Sequence, residues 1–374
     1  MAAKKRTPIL RIPAVQTLLA SLVCILLGLV VGYIALLLIN PAGAWEAITD
    51  IVKNFWTYSN SRAQMKYLGN TLVKAAPLLM CSLSVLFAYK VGLFNIGAAG
   101  QYVAGAGAGL YCALALGLPW WVCMIAAALA GALLGCLSGM LKAYRNVNEV
   151  ISGIMLNWIA LYTINSLLNV VKDTASPYTV VLSKTNPSAV IPSMGLGALF
   201  TNNKYVTIAI PLAIIIAVAI WVLLEKTKLG YELKATGLNR NAARYCGMRE
   251  KYNTILTMGI AGALAGLGAA MFFLSGFEEW SVTQSSVPAM GFNGIAAAFL
   301  GGLNPIGAIF SSFFIQHITN GGAYVDMKMY SSQISDFISS VIIYLCGFVL
   351  FFKHCLNRWL NHRDEAALRK EGDK

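Results

Sequence analysis

The sequence predicts an all-α polytopic membrane protein of about ten transmembrane helices, built on an inverted internal repeat. Three observations predict it. Of 374 residues, 58% are apolar and only 11% charged, against roughly 25% charged in soluble domains. Eight long apolar stretches carry no Asp, Glu, Lys or Arg, and two of these are long enough for a pair of spans each. A stretch around Asn95 recurs around Asn293. The composition excludes an ordinary soluble protein and a disordered one. The 34 glycines suit helices that pack closely in lipid.

In chain order, the first charge-free run covers 12–45. Lys4, Lys5 and Arg6 precede it and Ala42-Gly43-Ala44 ends it, as in a signal peptide. Its apolar length exceeds the ~7–15 residues of a signal core, so it reads as an uncleaved anchor helix. Residues 44–66 follow as a loop with an interfacial helix around 45–56. Span 2 covers 75–89. The run 91–141 breaks at Gly117-Leu118-Pro119 into spans 3 and 4. Spans 5, 6 and 7 cover 150–171, 205–224 and 252–277. The run 280–325 breaks near Gly301-Gly302-Leu303-Asn304-Pro305 into spans 8 and 9, and 337–352 is span 10. Span 8, around 294–303, is short and Gly-flanked, so it reads as a broken or re-entrant segment as well as a full crossing.

With the N-terminus inside, 20 of the 28 basic residues fall on the inner side, seven on the outer side, and Lys74 within the membrane. That asymmetry places both termini in the cytoplasm. It also accounts for the net charge of +13 without nucleic acid. The chain 1–374 then reads as one transmembrane domain. Residues 171–203 form a long extracytoplasmic loop, 225–253 a cytoplasmic loop and 354–374 a cytoplasmic tail. No CxxC pair or zinc spacing occurs, and six cysteines lie in apolar runs, so no metal site is expected.

Phe94-Asn95-Ile96-Gly97 opens span 3 and Phe292-Asn293-Gly294-Ile295 opens span 8, five spans later and so in the opposite direction. This is the pattern of an inverted repeat, spans 2–5 against 7–10, with spans 1 and 6 outside it. Such repeats hold their substrate near the midplane.

Polar residues in spans usually face a cavity or another helix. Asn95 and Gln101 stand at the start of span 3, and Asn293 beside Phe292 in the mirrored place. Asn157 shares a helical face with Glu149 and Gly153. Two readings stay open for Asn157 and Glu149, a face lining a pathway or contacts between helices. Amides both donate and accept, which suits neutral hydroxylated solutes. Lys74 and Asp336 lie near outer helix ends, where snorkelling accounts for them. His317 reads as a packed core histidine. There is no phosphate loop, HExxH or GxSxG, and no catalytic constellation.

In the loop 225–253, Gly237 reads as a break, Asn239 as a helix cap and Gly247 as a helix stop. Ala242 and Ala243 would give the short helix a small-residue surface. That helix either enters a groove on a partner or folds back on lipid headgroups.

Four stretches together resemble a known family. They are Gly92-Leu93-Phe94-Asn95-Ile96-Gly97-Ala98-Ala99-Gly100-Gln101; Asn148-Glu149-Val150-Ile151 with Met155-Leu156-Asn157; Gly237, Asn239, Ala242, Ala243 and Gly247; and Gly291-Phe292-Asn293-Gly294-Ile295 running on to Gly301-Gly302. The chain resembles the permease subunits of ABC importers for nucleosides and simple sugars, a group related to branched-chain amino-acid permeases. The Phe-Asn-Ile-Gly stretch is closer to the nucleoside branch. The resemblance implies a multi-pass protein of the bacterial plasma membrane with no catalysis of its own. It implies a substrate pathway through Asn95, Gln101, Asn157, Phe292 and Asn293. It implies a coupling helix carrying Lys234, Gly237, Asn239, Arg240, Ala242, Ala243, Arg244 and Gly247, seated in a separate ATPase that binds ATP and Mg. It further implies a second permease, often a different chain, and an extracytoplasmic substrate-binding protein or lipoprotein. A simple sugar is the alternative substrate. An ion-coupled transporter or a membrane enzyme would need intramembrane carboxylates or a nucleophile that the chain scarcely offers.

Overall fold

The computed structural model describes residues 13–331 and 333–372. Lys4, Lys5, Arg6 and Arg11, which enter the orientation argument, lie outside the described residues, as does Lys374.

Most of each apolar run is helical, because in lipid a helix satisfies every backbone donor and acceptor internally. Six helices are long and apolar enough to cross a membrane. They are α1 (Pro13–Ile39), α3 (Ser61–Lys90), α5 (Trp120–Arg145), α6 (Glu149–Leu168), α9 (Ala209–Lys226) and α12 (Glu250–Phe273). Four further helices match the remaining expected spans but are shorter. These are α4 (Ala98–Leu114), α13 (Ala289–Leu300), α14 (Pro305–Gly321) and α15 (Ile334–Cys346). The other helices are α2 (Ala44–Lys53), α7 (Leu182–Thr185), α8 (Leu196–Leu199), α10 (Lys228–Leu238), α11 (Arg240–Tyr245) and α16 (Val349–Gly372). Local chemistry sets several starts. Asn60, Asn148 and Asn304 cap α3, α6 and α14 by accepting from the backbone N–H two residues on, and Pro305 occupies the first position of α14.

Span 8 is the 12-residue α13, short as expected, and 280–288 is not helical. Two expectations need correction. Span 10 does not run to residue 352: α15 ends at Cys346, and α16 begins at Val349 and continues through the segment expected as a tail. Gly237 does not break its helix; α10 runs through it to Leu238, and the break falls at Asn239. Glycine lowers helix propensity by only about 1 kcal/mol, and contacts override that cost here. A helix does form in the 44–66 segment, as α2, with Ala44, Ala47, Ile48 and Ile51 inward and Trp45 exposed.

The repeat is visible in the packing. α3 packs on α12, α13 and α14, while α12 packs on α3, α4 and α5. Exchanging α3–α6 for α12–α15 carries one set of partners into the other. Within each set, the second helix packs on both the third and the fourth. α1 packs on α15 and α16, and α9 on α3 and α14, so both stand outside the exchange. The closest joint is α5 on α12. A Cβ on Gly131 would lie 2.2 Å from the Gly262 carbonyl oxygen, and one on Gly266 would lie 2.3 Å from that of Ala127. The mirrored asparagines are not equivalent in detail. Asn95 precedes α4, whereas Asn293 lies in the second turn of α13.

One end of the bundle carries α10, α11 and the turns after α3 and α5. At the opposite end the 172–203 and 274–288 segments interlock, through Tyr178 against Ser281 and the Ile191 N–H donating to the Leu274 carbonyl at 3.0 Å.

Candidate functional site

A cavity of about 430 Å³ lies between α3, α4, α12, α13, α14 and α15 and reaches the end of the bundle opposite α10. Its wall holds four aromatic rings (Tyr102, Phe272, Phe273, Trp280), three amides (Gln284, Asn293, Gln316), the hydroxyl residues Thr319 and Ser340, and the charged Lys74, Glu278 and Asp336. The rings form a continuous set: Tyr102 lies 6.2 Å from Phe273, and Phe273 lies 5.6 Å from Trp280. The Trp280 indole N–H donates to Asn165 Oδ1 at 3.0 Å, which fixes that ring. Lys74 Nζ stands 5.4 Å from the centre of the Phe277 ring. The volume, apolar walls and few convergent polar groups fit a small-molecule site.

Of the residues expected along the pathway, Asn293 lines this cavity; Asn95, Gln101, Asn157 and Phe292 do not. Asn95 is fully buried, with its Nδ2 donating to Ser84 Oγ at 2.9 Å and Gln101 Oε1 at 2.8 Å. Gln101 Nε2 returns a bond to Asn95 Oδ1 at 3.1 Å. Ser84 lies six residues before the end of α3, so the 91–97 loop folds back about 9 Å into the bundle. Asn157 holds the same loop from α6: its Nδ2 donates to the Ile96 carbonyl at 3.1 Å, and its Oδ1 accepts from the Gly100 N–H at 2.7 Å. Asn95 and Gln101 satisfy one another, and the backbone satisfies Asn157, as buried polar groups must be. Of the two readings open for Asn157, the contact between helices describes its geometry. Glu149 closes an ion pair with Lys142 at 2.8 Å.

Sequence reasoning passed over Lys74 and Asp336 as snorkelling ends, yet both stand on the cavity wall. Their signal was present, since they were the charges in apolar surroundings. What was missing is that α3 and α15 bring them to one space. His317 is a packed histidine as expected, its Nε2 2.8 Å from the Val52 carbonyl oxygen.

At the other end, Asn239 caps α11 by accepting from the Ala242 N–H at 3.0 Å, and Gly247 ends it at φ +79°. The Ala242-Ala243 surface is formed only in part, with Ala242 exposed. Ala243 is only 3% exposed and faces the chain itself, because α11 lies on α10 and α12. The exposed apolar groups are instead Leu238 (89%) and Tyr245 (93%), with Arg244 beside them. Lys234 pairs with Glu225 at 3.1 Å, and the Arg240 guanidinium donates to the Ala143 carbonyl at 3.5 Å. Among the described residues, no group of three or more His, Cys, Asp or Glu is placed to hold a metal.

Residues 67–347 match the family described as branched-chain amino acid transport system, permease component. The chain is 31% identical to the nucleoside ABC transporter permease protein NupB of Lactococcus lactis subsp. cremoris, over 96% of this chain and 98% of the relative. It is 32% identical to the guanosine ABC transporter permease protein NupP of Bacillus subtilis, over 87% and 92%. It is 26% identical to the glucose ABC transporter permease protein TsgB13 of Haloferax volcanii, over 88% and 87%. No solved structure matches the chain. Taken with a polytopic bundle around a solute-sized cavity, the match over most of the sequence has one conclusion: the chain belongs to the family of permease components of branched-chain amino acid transport systems.

Proposed function

We propose that this chain is a permease subunit of an ATP-driven importer and passes a nucleoside through the membrane. The observation that carries the proposal is its likeness to the nucleoside permease NupB from end to end. The cavity supports it chemically. Its rings offer faces for a base, and its amides and hydroxyls offer partners for a ribose. The wall holds one cation and two carboxylates, which disfavours a phosphorylated solute. Asn293 is the pathway residue that touches the solute, while Asn95, Gln101 and Asn157 shape the helices around it.

In this reading, both termini and the α10–α11 segment are cytoplasmic. The segment docks in the groove of a separate ATPase, which binds ATP and Mg, through Leu238, Arg244 and Tyr245. A second permease completes the path, and an extracytoplasmic binding protein delivers the solute to the face where the cavity opens. The test is co-expression with a partner ATPase, a second permease and a binding protein, followed by ATP-dependent uptake of labelled guanosine, uridine, ribose and glucose. Uptake of nucleosides alone supports the proposal. Uptake of glucose alone favours the sugar reading, and uptake without any ATPase removes the importer reading.

A further inference from the structure

Gly92 and Gly237 meet backbone to backbone. A Cβ on Gly237 would come within 2.2 Å of the Val91 carbonyl oxygen, and one on Gly92 within 2.8 Å of the Gly237 carbonyl oxygen. Gly92 also holds φ +75°, a conformation that strains an L side chain. The approach is possible because neither residue has a side chain. It joins the end of α10 to the 91–97 loop.

From that loop, buried hydrogen bonds and close backbone contacts run on toward the cavity wall. Asn95 ties it to α3 and α4, and Asn157 ties it to α6. Gly153 of α6 bears directly on it; a Cβ there would lie 2.9 Å from the Gly97 nitrogen. One residue past Gln101 is Tyr102, on the cavity wall. Ala99 supports α13, since a Cβ on Gly291 would lie 2.4 Å from its Cα, and Asn293 on the same wall is two residues further on.

We infer that Gly92 and Gly237 form a positioning joint that transmits displacement of the α10 end to the cavity wall through the 91–97 loop. The inference rests on the ATP-driven reading above. Coupling between two sites needs an element that both of them bias. A contact through long side chains absorbs a small displacement by changing rotamer, whereas backbone against backbone does not. The loop moves as one piece because buried amide bonds hold it to three helices.

The test uses the assembled complex with ATPase and binding protein. Gly92→Ala fills the joint and Gly153→Ala pushes the loop off α6. Neither residue lies on the exposed α11 face or the cavity wall. Gly117→Ala is the control, with the same strained backbone at φ +66° but nothing within 4 Å. Bound ATPase, basal hydrolysis, hydrolysis stimulated by loaded binding protein, and uptake are measured for each.

Gly92→Ala and Gly153→Ala are expected to keep the ATPase and basal hydrolysis while losing at least tenfold in stimulation and uptake. The double variant should lose no more than the worse single one, because both act on one route. Gly117→Ala should be unchanged. Full stimulation in an assembled Gly92→Ala complex overturns the joint, and so does an equal loss in Gly117→Ala. If Gly92→Ala does not assemble, Gly153→Ala decides by the same criterion. A wild-type chain that binds no ATPase overturns the importer reading itself, a result distinct from an assembled complex that ignores the joint.

Discussion

The side chains of Asn95 and Gln101 bond each other in both directions, Nδ2 to Oε1 at 2.8 Å and Nε2 to Oδ1 at 3.1 Å. The pair is completely removed from solvent and closes the turn that folds back into the bundle. Asn95→Leu leaves Gln101 and Ser84 without these partners. A buried polar group left unpaired costs about 1–3 kcal/mol. The variant is therefore expected to lower the thermal midpoint of the detergent-solubilised protein by several degrees, while Asn293→Leu, on the cavity wall, should leave it close to wild type. Equal midpoints for Asn95→Leu and wild type would remove the structural role.

Charges inside a membrane protein are costly and usually functional. Lys74 and Asp336 share the wall of one cavity. Lys74→Met and Asp336→Asn should each reduce uptake at least tenfold, with the solute's affinity for the isolated binding protein untouched. Normal uptake in both variants would return these residues to the snorkelling role read from the sequence.

Aromatic anchors dominate protein interfaces, and losing one typically costs about 2 kcal/mol, roughly thirtyfold in Kd. Tyr245→Ala is expected to weaken binding of the partner ATPase by that order, and Leu238→Ser by less. Ala243→Trp acts differently, because its site faces the chain itself. It should disorder α11 and be visible as increased proteolysis of the free permease. Unchanged ATPase affinity in Tyr245→Ala would move the docking surface elsewhere.

Cys246 is an exposed thiol on this same segment, and Cys355 is another. In a Cys355→Ser background, a membrane-impermeant maleimide should label Cys246 in inverted vesicles and not in intact cells. A bound ATPase should slow that labelling. Labelling from the outside of intact cells would reverse the orientation.

Gly262 and Gly131 set the spacing of α5 and α12, with a Cβ on Gly262 falling 2.1 Å from the Gly131 carbonyl oxygen. Gly262→Val forces backbones apart and should abolish recovery of folded protein by size-exclusion chromatography. A monodisperse peak at the wild-type position would show that the joint yields.

The helices, the cap at Asn239, and the repeat were legible because apolar length, local hydrogen bonding and turn chemistry are properties of adjacent residues. The pathway was less so. Asn95, Gln101 and Asn157 are polar residues in spans, and sequence alone does not tell an amide facing a cavity from one bonded inside the bundle. Ala243 reads as a small surface residue until α10 and α12 are seen beneath it. Gly237 reads as a helix break because its partner, the backbone of Val91 and Gly92, is remote in the chain. Each of these depends on which helices meet, and that is decided by packing over the whole bundle.

The central claim is a nucleoside path driven by ATP. It is tested most directly by reconstituting the chain with its ATPase, second permease and binding protein in proteoliposomes and following labelled guanosine. Accumulation is expected to require ATP on the side carrying α10 and α11, to require the binding protein on the other, and to be indifferent to a proton or sodium gradient. Accumulation driven by an ion gradient without the ATPase would contradict it.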